Sequence, residues 1–217
     1  LTTGRALLDL DNELTINTEK PLVVANPSFD LNSSLTDLKS PETPAASQRR
    51  SGDLFSFKWE LLPGTEKEGK TIAQITDAKL LMKKRATSLA IEEADTPKII
   101  HIASHAYYLT PDKNEIENPL HRSGIVLAGA NNPESNELDD GYLTALEVTR
   151  LDLKGTQMVV ISGCESGKGD IQSGEGVYGL KRAITVAGAR SSLLSLWKVD
   201  DAATAAFMES FYRNLKD

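Results

Sequence analysis

Cysteine is nearly absent from this sequence. Cys164 is the single cysteine in 217 residues. A disulfide needs two cysteines and a thiolate metal site needs several, so the chain by itself forms neither. Its three histidines also lack the spacing of zinc ligands. We therefore expect a protein of a reducing compartment, the cytoplasm, that works without a metal or an organic cofactor.

Long apolar runs and a surplus of basic residues are missing as well. No run reaches the roughly 18 apolar residues of a membrane-spanning helix, and the first residues lack the basic-then-apolar order of a secretory signal. We therefore expect neither membrane insertion nor export. With 24 Lys and Arg against 31 Asp and Glu, the net charge is −7. This acidic balance argues against direct binding of nucleic acid.

The length and composition indicate one soluble, folded domain. Hydrophobic residues make up 40% and charged residues 25% of the chain, as in average globular proteins. A chain of this length buries a full core without dividing, so we expect a single domain over residues 1–217. The chain starts without Met and ends after a helical pattern without a stop signal. We expect it to be part of a longer protein.

Short apolar runs alternate with helical patterns along the chain. The runs, which predict buried strands because most lack strict alternation, are residues 22–25, 79–82, 98–103, 124–128, 157–161 and 191–196. Capping boxes predict helix starts at Thr65 and Thr144. Apolar residues at helical spacing predict helices over 176–187 and 201–215. This alternation of strands and helices predicts an α/β fold with a doubly wound, mainly parallel sheet.

Residues 30–53 interrupt this alternation of strands and helices. They are rich in Ser, Pro and Asp and have little apolar periodicity, which predicts a long, mobile surface loop. Long polar loops are preferred places of proteolysis. We therefore regard this loop as a candidate processing site.

Two predicted strands end in residues that perform chemistry. One runs out at His105 and the other at Cys164. The carboxyl ends of parallel strands lie at the same edge of a sheet, where the ligand crevice forms. An imidazole beside a thiol shifts it toward the thiolate and can then protonate a leaving amine. Gly163 and Gly167 allow a sharp turn that directs the Cys164 N–H toward a developing oxyanion.

Other interpretations of these residues stay open. A single cysteine is more often a small buried hydrophobe than a nucleophile, although the polar neighbours of Cys164 favour the nucleophile. His101 alternates with apolar residues and is interpreted as a core histidine. The glycine-rich residues 163–169 and 174–176 also suggest phosphate binding, but Gly167-Lys168 is followed by Gly169 and does not complete a P-loop.

A series of ordered motifs resembles the CHAT domains, which are caspase-like modules related to caspases and separase and usually follow tetratricopeptide repeats in bacterial proteins. The motifs cover nearly the whole chain. They are Pro63-Gly64-Thr65, Ala103-Ser104-His105, Pro119-Leu120-His121-Arg122-Ser123-Gly124, Leu127-Ala128-Gly129-Ala130-Asn131, Asp140-Gly141-Tyr142-Leu143-Thr144-Ala145, Ser162-Gly163-Cys164-Glu165-Ser166-Gly167, Gly174-Glu175-Gly176-Val177, Ala187-Gly188-Ala189-Arg190 and Trp197-Lys198-Val199-Asp200-Asp201.

The resemblance implies a caspase-like sheet with helices on both faces and a cysteine endopeptidase that acts on a protein or peptide substrate. It implies a dyad of His105 and Cys164, with an oxyanion hole from the backbone N–H groups of Ala106 and Cys164. It also implies an association with a tetratricopeptide-repeat region, in the same chain or in another. Glu175, Asp200 and Asp201 are candidates for the substrate pocket, although Glu175 at a helix start equally suits the helix N–H groups.

The chain departs from the family pattern at two positions. Ala106 stands where relatives usually have Gly after the histidine, and Ser162 stands where relatives specific for Arg or Lys have an acidic residue. Two rival functions also remain. One is a catalytically silent caspase-like module that regulates or binds proteins, because fold does not fix activity. The other is a nucleotide-binding α/β domain, which nucleotides and not peptides would stabilise.

Overall fold

The computed structural model describes most of the predicted strands and helices. It describes residues 19–30, 58–109, 119–133, 139–163, 175–195 and 201–216, with the backbone alone for residues 119, 175–177, 201–202 and 216. The loop predicted for residues 30–53 lies outside these ranges except for Asp30.

The described chain forms eight strands in two sheets. They are β1 (Leu22–Pro27), β2 (Lys79–Lys83), β3 (Ile99–Ala103), β4 (Ala106–Tyr108), β5 (Ser123–Val126), β6 (Tyr142–Thr144), β7 (Met158–Ser162) and β8 (Ser192–Leu194). The larger sheet has the order β2-β1-β3-β7-β8, and all its pairs are parallel. This confirms the doubly wound, mainly parallel sheet.

Five helices cover both faces of this sheet. They are α1 (Pro63–Thr76), α2 (Ser88–Glu92), α3 (Ala145–Val148), α4 (Glu175–Ala187) and α5 (Asp201–Lys216). Side chains of a strand alternate between faces. Val23 and Val160 pack with Ile72 of α1 and with Met208 and Tyr212 of α5. Their neighbours on the opposite face pack against α2, α3 and α4; they include Leu22, Val24, Val159 and Ile161.

The strands β4, β5 and β6 form a separate antiparallel sheet that the sequence did not predict. The buried strand expected over residues 124–128 is confirmed as β5, but it pairs with β4 and β6 and does not join the parallel sheet. Its side chains are buried on both faces, and a continuous apolar run does not reveal strand direction.

The two predicted capping boxes have different outcomes. The box at Thr144 is confirmed, because Thr144 caps α3 and Glu147 bonds back to its N–H. The helix start at Thr65 was wrong, since α1 already begins at Pro63. The Thr65 hydroxyl donates to the Leu62 carbonyl, at 2.7 Å. Glu68 is unavailable as a cap because its carboxylate lies beneath the sheet, 3.2 Å from His101.

The strand order creates a switch point between β1 and β3. From β1 the chain moves outward to β2, whereas from β3 it moves in the opposite direction to β7 and β8. In open α/β sheets a crevice opens at the carboxyl ends of the strands beside such a point. His105 comes two residues after β3 and therefore lies at the carboxyl edge of the sheet beside this point, where the residue is 7% exposed.

Candidate active site

His105 lies in the tight connection that joins the two sheets. The parallel strand β3 ends at Ala103 and the antiparallel strand β4 begins at Ala106. The Ser104 hydroxyl donates to the Val126 carbonyl, and the Val126 N–H donates to the His105 carbonyl at 2.9 Å. Backbone and side-chain hydrogen bonds to β5 therefore fix the main chain on which the imidazole stands.

Two aromatic rings hold the imidazole of His105. The ring centroids of Phe29 and Trp59 each lie 5.3 Å from that of His105, at interplanar angles of 39° and 41°. His105 Nε2 lies 2.8 Å from the carbonyl oxygen of Glu60. Because a carbonyl only accepts, Nε2 carries the proton in this contact. In the neutral ring the lone pair is then on Nδ1, which is the nitrogen able to act as a base.

Trp59, which precedes Glu60, is held by Tyr142 of β6 and by Asn131. The indole N–H of Trp59 donates to the Tyr142 hydroxyl at 3.0 Å, and that hydroxyl donates to the Ala130 carbonyl at 3.1 Å. Asn131 accepts the Trp59 main-chain N–H at 2.7 Å and donates to the Trp59 carbonyl at 3.0 Å. Glu60 thus follows a residue that is fixed through both its side chain and its backbone.

The strand β7 runs beside β3 and brings its own end to the same edge. The two strands are parallel, and Ala103 lies opposite Ser162. The next residue, Gly163, packs so closely on the connection that a Cβ there would overlap the Ser104 carbonyl and lie 3.6 Å from Ala106 N. Only glycine fits this approach. Cys164, which follows Gly163, lies outside the described residues.

Ala106 has ordinary extended backbone and points its N–H away from β5. It starts β4 opposite Ile125 and is not among the residues with positive φ, so the position does not require the glycine of the family pattern. The pairs His105–Val126 and Leu109–Arg122 carry the ladder hydrogen bonds. Because bonded and non-bonded pairs alternate in an antiparallel ladder, the Ala106 N–H projects from the opposite side, near Gly163.

The comparison with known protein families identifies the chain. The CHAT domain matches residues 1–217, its full length. The chain belongs to the CHAT domain family. Its α/β fold, with a parallel sheet between two layers of helices, is the caspase-like fold expected for this family.

Two curated mammalian proteins are similar to this CHAT domain. Tetratricopeptide repeat protein 28 of Homo sapiens is 27% identical over 224 residues, which cover 93% of this chain and 9% of that protein. Tetratricopeptide repeat protein 28 of Mus musculus is 27% identical over 199 residues, covering 81% of this chain and 8% of that protein. The CHAT domain therefore spans less than a tenth of the relatives' length. The bacterial origin and cytoplasmic location stay predictions.

The other predicted pocket residues are not described as side chains. Asp200 lies outside the described residues, whereas Glu175 and Asp201 are the first residues of α4 and α5 and are described by backbone alone. Their contribution to the substrate pocket of the CHAT domain remains a prediction.

Sequence reasoning missed the residues that hold His105. Phe29, Trp59 and the Glu60 carbonyl were not singled out, and Asn131 and Tyr142 were noted only within motifs. Trp59 was the available signal: it is one of two tryptophans in the chain and stands four positions before the Pro63-Gly64-Thr65 motif. Every residue has a backbone carbonyl, so the residue types alone could not reveal the role of the Glu60 carbonyl.

His101 is a core histidine of the CHAT domain, as expected. It is fully buried, and its Nε2 lies 3.2 Å from Glu68 of α1 while its Nδ1 lies 3.2 Å from the Tyr212 hydroxyl of α5. Burial, and secondarily the Glu68 charge, raise the pKa of Tyr212 well above its usual range. Its hydroxyl therefore stays protonated and shares a hydrogen bond with Nδ1, while Nε2 faces the Glu68 carboxylate.

The described residues contain neither a cluster of metal ligands nor a membrane-spanning helix. No group of three or more His, Asp or Glu side chains described there is arranged to hold a metal ion. Across the same part of the chain, every helix is too short or too polar to span a bilayer.

Proposed function

We propose that this CHAT domain is a cysteine endopeptidase that hydrolyses peptide bonds with Cys164 as nucleophile and His105 as base. The observation that carries the proposal is the seating of His105 at the carboxyl end of β3, with Nε2 bonded to the Glu60 carbonyl at 2.8 Å. This bond keeps the proton on Nε2 and leaves the lone pair on Nδ1. A histidine that only filled space would not need its tautomer fixed beside a crevice.

The register of β3 and β7 supports the pairing of His105 with Cys164. The strands pair up to Ala103 and Ser162, and each candidate residue comes two positions later in its chain. Adjacent parallel strands lie about 4.8 Å apart. Continuing the register beyond Gly163 would bring the imidazole and the thiol within the reach that proton transfer requires.

The proposed reaction follows from these positions. Nδ1 of His105 takes the thiol proton, and the Sγ of Cys164 attacks the carbonyl carbon of the scissile bond. The carbonyl oxygen gains negative charge, which the backbone N–H groups of Ala106 and Cys164 stabilise. The imidazolium then gives its proton to the leaving amine as the C–N bond breaks. Water, deprotonated by His105, hydrolyses the thioester and releases the acid product and the free thiol.

A thiol-reactive peptide probe tests this function. Cys164 is the only cysteine, so every labelled thiol reports on it. We expect the Cys164→Ala variant to lose all cleavage of a fluorogenic peptide library, and His105→Ala to lose on the order of 10²- to 10⁴-fold, as removal of a general base does.

The matched control is His121→Ala, which removes a histidine from the short turn before β5 and should leave cleavage unchanged. Equal probe labelling of wild type and His105→Ala would contradict the proposed dyad.

The substrate pocket is proposed to include Glu175, Asp200 and Asp201. These carboxylates would favour a basic residue before the scissile bond, whereas Ser162 before the nucleophile removes the acidic group that basic-specific relatives carry there. Glu175→Gln, Asp200→Asn and Asp201→Asn, profiled against the same library, would separate their roles. A carboxylate that lines the pocket loses preference for Arg and Lys when neutralised, whereas one that only caps a helix loses stability alone.

A second candidate function is protein binding, and the surface of α5 favours it. Phe207 and Leu215 are 59% and 52% exposed. The rings of Phe207 and Phe211 stack at 6.4 Å, and a shallow groove is lined by both of them with Ser210, Asn214 and Leu215. We propose that a helix of a tetratricopeptide-repeat region covers this groove. The similar mammalian proteins are named for such repeats and are more than ten times as long as the matched segment.

Binding of a purified tetratricopeptide-repeat array, followed by calorimetry, tests the groove. Phe207→Ser should weaken binding, whereas Val186→Ser, a matched control 62% exposed on α4, should not. Binding that is equally strong in both variants would place the partner elsewhere. A chain that binds the array but never labels with the peptide probe would be the catalytically silent module.

A further inference from the structure

Asn131 connects the two segments that enclose the imidazole of His105. Its main-chain N–H donates to the Phe29 carbonyl at 3.0 Å. Its side-chain oxygen accepts the Trp59 N–H at 2.7 Å, and its side-chain nitrogen donates to the Trp59 carbonyl at 3.0 Å. Both residues whose rings flank His105 are therefore hydrogen-bonded to one asparagine.

The reciprocal pair of bonds fixes the peptide plane before Glu60. An amide side chain that accepts from the N–H and donates to the C=O of one residue holds that residue as a neighbouring strand would. The Glu60 carbonyl, which accepts His105 Nε2–H at 2.8 Å, belongs to the next residue. Rotation of the main chain at Trp59 would carry that carbonyl away from the imidazole.

We propose that Asn131 is a positioning residue that sets the tautomer and orientation of His105 through the Trp59–Glu60 backbone. It does not touch the imidazole. It holds the carbonyl that keeps the proton on Nε2 and leaves the lone pair on Nδ1. For the reaction, this role depends on the proposed dyad, whereas its effect on the imidazole is independent of the reactivity of Cys164.

Only an amide satisfies this position. Asn131 uses its oxygen as an acceptor and its nitrogen as a donor, and the nitrogen makes a further bond to the Asp30 carboxylate at 3.1 Å. Aspartate retains the acceptor but has no donor when ionised, and it would set a second carboxylate beside Asp30. Alanine supplies neither group. The residue types available at this position are therefore restricted by hydrogen-bonding capacity and not by volume.

The test measures His105 directly by long-range ¹H–¹⁵N correlation of its ring nitrogens in the full chain. In wild type above the imidazole titration, Nε2 should carry the proton. Asn131→Ala should shift the ring toward a mixture of tautomers. The alkylation rate of Cys164 by iodoacetamide should fall about 10- to 100-fold, the range expected when a catalytic group is misplaced by about 1 Å, and its pH profile should move.

Asp30→Ala is the matched control, because it removes the outer bond of the Asn131 amide and leaves both bonds to Trp59. It should keep the wild-type tautomer and rate. Where Asn131→Ala does not fold, the isosteric Asn131→Asp provides the same measurement. An unchanged Nε2–H tautomer in a folded Asn131 variant overturns the proposal. A shifted tautomer supports it even where wild-type Cys164 proves unreactive, which would count only against the peptidase.

Discussion

At the scale of single residues, the site depends on how closely backbones approach one another. Gly163 lies directly on the Ser104 carbonyl, and Ala106 presents its N–H to the same side. The glycine is needed for contact and not for backbone conformation, since Gly163 is not among the glycines with positive φ. A side chain at this position would force apart the two connections that carry the proposed dyad.

Gly163→Ala should therefore damage both stability and reactivity. The added methyl overlaps main chain that cannot move aside, and overpacking of this kind costs about 1–3 kcal/mol. Urea denaturation should show the loss of unfolding free energy, and iodoacetamide should modify Cys164 more slowly. Gly64→Ala in the first turn of α1 serves as control, because alanine favours a helix. Wild-type stability of Gly163→Ala would contradict the close approach.

At the scale of elements, a buried polar cluster joins two helices to the strand that carries the site. Glu68 of α1, His101 of β3 and Tyr212 of α5 are each at most 3% exposed. Their contacts of 3.2 Å link α1 and α5 through the centre of the sheet. His101 lies on β3, the strand that ends beside His105. The packing of α1 and α5 on His101 therefore affects the position of His105.

Glu68→Leu should lower the free energy of unfolding by about 3 kcal/mol, since it removes the buried carboxylate that lies 3.2 Å from the buried imidazole of His101. The control is Glu209→Leu on α5, whose partly exposed carboxylate pairs with Arg213 of the same helix and should matter little, because solvent-exposed pairs contribute little. Chemical denaturation compares the two. Equal effects would mean that the cluster adds nothing beyond packing.

Tyr212 predicts a loss of stability at alkaline pH. Its pKa is raised by burial and by Glu68, so the folded chain keeps a proton that the unfolded chain releases above about pH 10. The contribution is fully present below that pH and declines above it, by about 1.4 kcal/mol per pH unit for one proton.

Denaturation between pH 9 and pH 11 should show a shallower decline for Tyr212→Phe than for wild type. Tyr178→Phe, altered at a residue 69% exposed, should decline as wild type does. Identical slopes for all three proteins would exclude Tyr212 as the source.

At the scale of the whole molecule, the net charge decides which ligands the surface attracts, and the strand order decides where the candidate site lies. The switch point between β1 and β3, where open α/β sheets bind their ligands, is set by strand order alone. The net charge of −7 acts over the entire surface and repels polyanions. A substrate therefore has to be recognised by contacts within the crevice.

The acidic surface predicts that the chain does not bind nucleic acid directly. Fluorescence anisotropy with a labelled DNA duplex should show no saturable binding at physiological salt, because phosphate contacts need clustered Lys and Arg. A titration at low salt provides the sensitive condition. Saturable binding that weakens steeply as salt increases would reveal a local basic patch and contradict the prediction.

The sequence by itself determined the strands of the parallel sheet, the bounds of α4 and α5 to within a residue, and the placement of His105 at a strand end. Apolar periodicity and helix caps are local signals, and the main-sheet strands and α3, α4 and α5 follow them closely. These local signals did not predict the second sheet, because the apolar run at β5 does not specify the strands with which it pairs. They also misassigned Thr65, whose hydroxyl donates to the Leu62 carbonyl, and Glu68, whose carboxylate faces His101 of β3.

Only the tertiary structure decided how His105 is held. Its acceptor, the Glu60 carbonyl, is 45 positions away in the chain, and Asn131 reaches Trp59 across 72 positions. A backbone carbonyl is common to all residues, so no residue type marks the one that fixes a tautomer. Long-range pairing of this kind follows from the packing of the sheet and the segment before α1, and it has no local pattern to predict it.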